Sequence, residues 1–426
     1  MISGIILTFK TLGVILSYMV QAAIQFPYAL IHRHTYRALL SPNEPPKNIV
    51  VIGASFAGFF AAKELLQTVP SGYRVVVVEK NSHFQFTWAF PRFCVLSGYE
   101  GRAFIPVRDG LKGYAPPHAF RWVTGCVERI IPDEKTNGGS GGEGKIVLTS
   151  GESIEYAYLI VATGATATLP SRVGKNDKAE GIAELQRVQE RIGQAETIAV
   201  LGGGAAGVEL AADIKSYRPE KEVTLIHSRG SLLNTYGEKL QQAAFDELTK
   251  LGVHICLGER VQLAEGQTEG EIQLKDEAVS FDYIVKCVGQ SPNSQVISAL
   301  SPSSVSPSGH IRTRPTLQIA DMDFHNIFAA GDILDGIPLK NGRAACEQGQ
   351  LVARNVVRDI QGRAMLQYHQ RWWEGMTKMT LGLKKGVFTI NDGVAEACIF
   401  FKGLPLDMGS HHIWSTLGVK PSEEFQ

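Results

Sequence analysis

Two stretches of the chain share one order of apolar and polar positions: a short apolar run, a glycine-rich turn, an alanine-rich segment and a second apolar run. The later copy, Thr197 to Ser228, reads TIAVLGGGAAGVELAADIKSYRPEKEVTLIHS, and the earlier, Lys47 to Lys80, reads KNIVVIGASFAGFFAAKELLQTVPSGYRVVVVEK. Each order predicts strand, turn, helix, strand. In the later copy Gly202 turns the chain sharply, Gly204 lets the backbone approach a pyrophosphate, and Gly207 lets the helix pack close to the strand. Free N–H groups at the helix start then face the phosphates. The earlier copy carries Gly53, Ser55 and Gly58, with serine where the second glycine is expected. Its hydroxyl either displaces the chain slightly or donates to a phosphate.

The remaining pattern places these copies in a larger order. Trp122 to Ile130 and Lys145 to Leu148 predict antiparallel strands joined by the solvated loop Asn137 to Gly144, NGGSGGEG. Tyr158 to Ala165, YLIVATGA, is an apolar strand whose Thr163 and Gly164 let the chain cross over a bound nucleotide toward the second copy. Phe281 to Gln290, FDYIVKCVGQ, closes the second copy in the same way at Gly289. Gly309 to Ile319 predicts another strand pair. NIFAAGD, Asn326 to Asp332, then delivers Gly331 and Asp332 at a strand end, before Lys340 and a helix from about Arg343 to Val357. After Gly362 comes a small closing unit with Trp372, Trp373, Met376, Met379 and the strand-like GVFTI and CIFFKG, apolar enough to cover a flavin, form a dimer surface or touch lipid. The expected architecture is α/β: two Rossmann-like dinucleotide-binding domains, the second inserted in the first, and a C-terminal α+β unit. The expected boundaries are 1–40 for a hydrophobic segment, 47–180 with 295–363 for the first domain, 181–294 for the second and 364–426 for the last.

Composition narrows this further. Lys plus Arg and Asp plus Glu are both 42, so no net field draws the chain to nucleic acid. The six cysteines, Cys94, Cys126, Cys256, Cys287, Cys346 and Cys398, form no close pair, which argues against a zinc site, a redox disulfide and a disulfide-stapled fold; no metal is expected. The first forty residues stand apart, with no acid before Glu44 and an uncharged run from Thr11 to Ile31. As a helix that run spans ~30 Å, the apolar thickness of a bilayer, although Gln21, Gln25 and Pro27 count against it. A membrane anchor is the favoured reading; a mitochondrial targeting segment, a secretory signal and a core helix stay open. Lys10 precedes the run and His32, Arg33, His34 and Arg37 follow it, which places the globular part on the cytosolic side. Ser41 to Pro46 reads as a linker.

Individual side chains suggest chemistry, each beside a plainer reading. Glu79 ends a strand about twenty residues after Gly58, where a carboxylate accepts from ribose hydroxyls; otherwise it is a surface acid. Arg92, in the aromatic stretch HFQFTWAFPR, lies near a cofactor phosphate or ring edge, or in a loop packed on the core. The second copy ends in His227, Ser228 and Arg229 rather than an acid, which admits NADPH as well as NADH and favours NADPH, unless both side chains face solvent. Asp332 accepts from a polyol hydroxyl or serves as a plain helix cap.

Two glycine-rich units, the second set between YLIVATGA and NIFAAGD, resemble the two-dinucleotide flavoprotein superfamily that includes glutathione reductase and type II NADH dehydrogenases. Within it, GGGAAGVELAADIKSYRPEKEVTLIHS is similar to the ferroptosis suppressor and apoptosis-inducing factor-like, mitochondrion-associated group, as a fungal-type member. The resemblance covers about Lys47 to Arg363 and continues thinly through NDGV at Asn391 to Val394. It implies FAD held by Gly53, Ser55, Gly58, Glu79, Arg92, the Val127 backbone, Thr163, Gly164, Gly331 and Asp332. It implies NADH or NADPH held by Gly202, Gly204, Gly207, His227, Arg229 and Gly289. Lys340 is implied beside the pyrimidine edge of the flavin and Glu209 near nicotinamide and flavin, for positioning and proton delivery; the plainer Glu209 is a helix acid bonded to backbone. The activity implied is hydride transfer from NAD(P)H to FAD and onward electron transfer to a quinone-type acceptor, at a membrane, with the mitochondrial outer membrane the implied organelle and a homodimer an open arrangement. A disulfide reductase lacks its cysteine pair here, and a flavin monooxygenase lacks its FxGxxxH stretch. An apoptosis-inducing factor-like signalling protein with a structural flavin remains the alternative.

Overall fold

The structure is a computed structural model that describes residues 2–39, 45–133, 143–275, 277–402 and 405–421. The expected linker falls largely outside these residues, as does most of the 137–144 loop. Helix α1 (Ile2–Thr35) is 34 residues long, which at 1.5 Å per residue is about 51 Å. The valine- and isoleucine-rich strands β1 (Lys47–Ile52) and β2 (Tyr73–Glu79) pair in parallel around α2 (Phe56–Thr68). They are buried on both faces, as crossover sheets require. β3 (Phe120–Thr124) extends the same sheet in parallel. β4 (Val127–Pro132), β5 (Gly144–Leu148) and β6 (Ser153–Tyr156) form a separate antiparallel sheet, and β7 (Tyr158–Val161) returns to the first. The stretch 122–130, expected as one antiparallel strand region, is therefore divided, because the chain turns at Gly125, whose N–H donates to Glu79 O (3.0 Å).

The second unit repeats the first. β8 (Thr197–Leu201), α3 (Ala205–Tyr217), β9 (Glu222–His227), α4 (Glu238–Leu251), β10 (His254–Leu257) and β11 (Tyr283–Lys286) give a parallel sheet in the order β10-β9-β8-β11. β12 (Ile327–Ala329) then completes the first sheet, β12-β7-β1-β2-β3, and leads to α5 (Gly342–Ile360). The insertion thus lies between β7 and β12. An antiparallel ribbon of Ala165–Thr166 with Ser291–Pro292 joins the outgoing and returning chain. The strand pair expected at 309–319 is reduced to isolated bridges, Val305 to Ile311 and Thr313 to Ile319, the latter closing a tight turn at Arg314–Leu317, where Leu317 N–H donates to Arg314 O (2.8 Å) and Pro315 takes the second position.

The last unit is an antiparallel sheet of β13 (Thr377–Thr380), β14 (Lys385–Asn391) and β15 (Glu396–Lys402). It is fastened to the second unit by Glu396, whose carboxylate accepts from the N–H groups of Lys239 (2.8 Å) and Leu240 (3.1 Å). Those are orphan donors in the first turn of α4, so the acid caps a helix from another sheet.

Candidate cofactor and electron-transfer site

The two glycine turns are built alike to within a few tenths of an ångström. Gly53 N–H donates to Val78 O and Gly202 N–H to Ile226 O, both at 2.8 Å. Ala162 N–H donates to Ile52 O (2.9 Å) and Cys287 N–H to Leu201 O (2.8 Å). Gly53 and Gly202 have φ of +94° and +119°, a region that side chains other than glycine rarely enter. A Cβ on Gly58 would lie 1.8 Å from Gly53 O, and one on Gly207 would lie 1.9 Å from Gly202 O. The third glycine in each unit therefore sets how closely the helix approaches the strand. A Cβ on Gly204 would meet nothing within 4 Å, so nothing in the fold itself demands glycine there.

Both turns fit a dinucleotide. The Ser55 hydroxyl at the start of α2 is buried, makes no hydrogen bond and does not cap the helix. A buried hydroxyl beside the free N–H groups of a helix start is a ready phosphate donor. Glu79 accepts from Ala54 N–H (2.5 Å) and Asn81 N–H (2.8 Å), which fixes the carboxylate beside the turn and leaves further acceptor sites on each oxygen. Its pKa is raised by burial, against those two bonds. Gly125 is bonded to the Glu79 backbone, and Val127 follows at the start of β4, so the adenosine end of the expected site is contiguous. The crossing is stitched by Asn293: Thr163 Oγ1 donates to Asn293 O (2.7 Å), Asn293 Nδ2 to Thr163 O (3.0 Å) and Asn293 N–H to Gly164 O (2.9 Å). Gly289, at φ +80°, lies on the returning chain.

At the end of β12, Gly331 N–H donates to Gln348 Oε1 (2.8 Å), Gln348 Nε2 to the Tyr368 hydroxyl (3.1 Å), and that hydroxyl to Glu374 (2.5 Å). Asn341 caps α5 through Ala344 N–H (2.8 Å) and donates to Glu374 O (2.9 Å). One buried polar network thus fixes the Gly331-Asp332 turn against the start of α5. Arg172 Nη2 lies 3.2 Å from an Asp332 oxygen, and Lys340 Nζ donates to Asp332 O (3.0 Å). Partial burial pulls the Lys340 pKa below its usual value, with Asp332 and Asp335 opposing. Arg172 and Gln348 carry no local signature in the sequence, because their partners lie 160 and 17 residues away.

Arg92 is buried between the units. It is 1% exposed and its Nε and Nη2 bond the two Asp213 oxygens at 2.6 and 3.0 Å, with Gly382 O at 3.3 Å from Nη2. It therefore ties the first unit to α3 and the C-terminal sheet, while its Nη1 is buried without a partner. Removing one member of a buried pair strands the other charge. Arg92→Leu is expected to cost about 3–5 kcal/mol in urea unfolding, and the double variant Arg92→Leu/Asp213→Leu markedly less; equal costs would contradict the pairing.

One turn of α3 before Asp213, Glu209 points at the C-terminal sheet. Its Oε1 accepts from Thr380 N–H (2.8 Å) and Thr380 Oγ1 (3.1 Å). Burial, reinforced by Asp213 and opposed by Thr380 and Arg92, pushes its pKa up to about 8. The plainer reading is partly realised, since it is bonded to backbone, but to backbone of a different unit. His227 packs its ring under the second glycine turn: a Cβ on Gly203 would lie 2.8 Å from it, its Nε2 is buried without a partner, and burial lowers its pKa. Arg229 is exposed beyond it.

A cleft of about 350 Å³ opens between the second unit and the C-terminal unit, lined among others by Tyr236, Leu339, Gln370, Arg371, Trp372 and Asn391. Leu339 precedes Lys340. The Tyr236 phenol is shifted upward by burial, with Thr377 opposing and nearby Glu209 adding, so the cleft and the buried acid are neighbours. Among the described residues there is no cluster of three or more His, Cys, Asp or Glu that could hold a metal ion.

Residues 47–349 match the family described as pyridine nucleotide-disulphide oxidoreductase. Fe-regulated protein 8 of Mycosarcoma maydis is 30% identical over 402 residues, 89% of this chain and 97% of that protein. Ferroptosis suppressor protein 1 of Homo sapiens is 28% identical over 368 residues, 84% of this chain and 90% of that protein. The sulfide:quinone oxidoreductase structure from Aquifex aeolicus superposes with a TM-score of 0.67 at 18% identity, covering 87% of this chain and 90% of that one. With paired glycine turns, one inserted between β7 and β12, and a match across most of the chain, the protein belongs to the pyridine nucleotide-disulphide oxidoreductase family.

Proposed function

We propose that the protein is an FAD-dependent NAD(P)H oxidoreductase that passes electrons to a quinone-type acceptor at a membrane. The observation that carries this reading is the duplicated glycine turn, with an unbonded buried Ser55 hydroxyl in the first copy and open space at Gly204 in the second. Bound FAD would supply the hydride-accepting chemistry, with NADH or NADPH as donor.

The chain's own residues have separable tasks in this reading. Gly53, Ser55, Gly58 and Glu79 hold one dinucleotide, with Val127, Thr163, Gly164, Gly331 and Asp332 along its length. Gly202, Gly204, Gly207 and Gly289 hold the other, and Arg229 with His227 leaves the edge free of the carboxylate that would repel a 2′-phosphate. Lys340 and the start of α5 supply positive potential beside the Asp332 turn. Glu209, protonated below about pH 8, holds a proton at its carboxyl between the second unit and the cleft. The acceptor is assigned to that cleft, where Tyr236, Leu339 and Trp372 offer aromatic and apolar surface. Its neighbour is a small cluster in which Leu7 of α1 packs with Met376, Ile390, Trp372 and Trp373, so an apolar acceptor fits the setting. The outer mitochondrial membrane, with the globular part in the cytosol, is the assigned location; it rests on the family resemblance and the apolar first helix.

The test is anaerobic. Reduced nicotinamide is added to the holoprotein until the flavin bleaches, and a ubiquinone analogue is then expected to restore the colour within seconds to minutes. A flavin that bleaches and is not reoxidised by the quinone would favour the signalling alternative. The pH dependence adds a second readout. Because the Glu209 pKa is raised in the folded state, the native protein binds a proton the unfolded chain has lost, and stability falls as pH rises from about 5 to about 8. Glu209→Gln is expected to remove that decline and the rate inflection near pH 8; unchanged profiles would contradict the role.

A further inference from the structure

Helix α1 has its polarity turned inside out. A stripe at seven-residue double steps faces the body of the protein: Leu7, Thr11, Val14, Gln21, Gln25, His32 and, just beyond the helix, Tyr36 are all buried or half-buried. Both glutamines of the helix lie on this stripe, with Thr11 and His32. The opposite face is apolar and outward, with Phe9, Leu16, Met19, Ile24, Phe26 and Ile31 each more than half exposed. A helix on a water-facing surface shows the reverse. The hydroxyls on the outer side are satisfied within the helix, Thr8 donating to Gly4 O (3.0 Å) and Ser17 to Val14 O (2.7 Å), as a medium without water demands.

The helix is fastened from end to end. Lys10 pairs with Asp392 (2.5 Å) near its start, the Tyr18 hydroxyl donates to Glu347 of α5 in the middle, and His32 bonds Val69 O (2.7 Å) after α2. The Tyr36 hydroxyl donates to Tyr73 O (2.6 Å). To cross a bilayer through residues 11–31, α1 would have to break the Lys10 and Tyr18 contacts and turn Gln21 and Gln25 toward acyl chains, at a cost of several kcal/mol for each group left unsatisfied. Charge points to the occupant of the outer face. The helix holds no acid, while Arg33, His34 and, just beyond the helix, Arg37 rim its carboxyl end, so the helices of two copies have no opposite charges to pair in either orientation, whereas anionic lipid headgroups complement the rim. Val394, 83% exposed and bonded through its N–H to Asp392 (3.0 Å), continues the apolar face past the first turns of the helix.

We infer that α1 lies in the plane of an anionic bilayer leaflet, its outer face among the acyl chains and its polar stripe on the protein, so that the chain docks on one side and does not span. This rests on the membrane association proposed above, and it replaces the spanning geometry with a lateral one. The test uses full-length holoprotein, with an epitope tag before Met1, and preformed vesicles of phosphatidylcholine with and without phosphatidylserine. Flotation is expected with the anionic vesicles at least tenfold above the neutral ones. External protease is expected to remove the tag as readily from bound as from free protein. Leu16→Glu/Phe26→Glu, on the face opposite the docked stripe, is expected to abolish flotation while nicotinamide bleaching of the flavin is unchanged. A tag protected inside vesicles would overturn the inference in favour of a span. Failure of the wild type to float, or self-association through α1 in place of vesicle binding, would overturn it too. None of these outcomes touches the bleaching assay, which judges the oxidoreductase reading separately.

Discussion

Gly58→Ala is expected to yield a colourless protein. The added Cβ falls 1.8 Å from Gly53 O and 2.8 Å from its carbon, both backbone atoms that no rotamer change can move, with Ala162 Cβ a further 3.3 Å away. Gly53 has no room to retreat, since its own Cβ position is already 2.5 Å from Ala162 O and its φ is +94°. Relief comes only by lifting α2 off β1 and β7, which carries away the first-turn N–H groups and the Ser55 hydroxyl together. Each ~1.4 kcal/mol of binding lost lowers affinity tenfold, and a backbone clash of this size is expected to remove enough of them that most of the flavin is lost on purification. Flavin released by denaturation, per polypeptide, measures it; wild-type content would place the flavin elsewhere.

Gly207→Ala should separate the two sites. Its Cβ would lie 1.9 Å from Gly202 O and 3.3 Å from Cys287 Cβ, so α3 is pushed from β8 and β11 while the first unit is untouched. Flavin content is expected to stay near that of the wild type and bleaching by either reduced nicotinamide to slow by more than about tenfold, a barrier change above 1.36 kcal/mol. Gly204→Ala is the informative companion. Nothing in the fold opposes a Cβ there, so slowed bleaching with unchanged stability would report a direct cofactor contact. Normal bleaching in both variants would remove the nicotinamide from the second glycine turn.

The two units and the insertion were legible because each is a local pattern: apolar strand, glycines at fixed offsets, helix, apolar strand. The same locality explains where the reading stopped. Arg92 stands in a readable aromatic stretch, but its partner Asp213 lies 121 residues away on α3, and no spacing rule reports such a pair. Glu209 is legible through the resemblance and its place on the second glycine helix, while Thr380, which holds it, belongs to a unit whose sequence left covering a flavin, a dimer surface and lipid contact equally open. The apolar run at 11–31 was visible as a helix of bilayer length. Its Gln21 and Gln25 looked like defects until the docked stripe gave them a protein-facing side, because composition carries length and hydropathy but not the direction a face points. The 309–319 segment shortens to single bridges because the chain turns tightly at Arg314–Leu317, with Pro315 at the second position of the turn.

The central claim is that one polypeptide holds a flavin and a reduced nicotinamide on separate glycine turns and lets the first be reduced by the second. The most direct measurement is the visible absorption spectrum of the purified protein under anaerobic titration with NADPH and, separately, NADH. The account predicts a flavin spectrum, about one FAD per chain, that bleaches stoichiometrically with at least one of the two. A protein that stays colourless after incubation with FAD, or a bound flavin that neither nicotinamide bleaches, would contradict it.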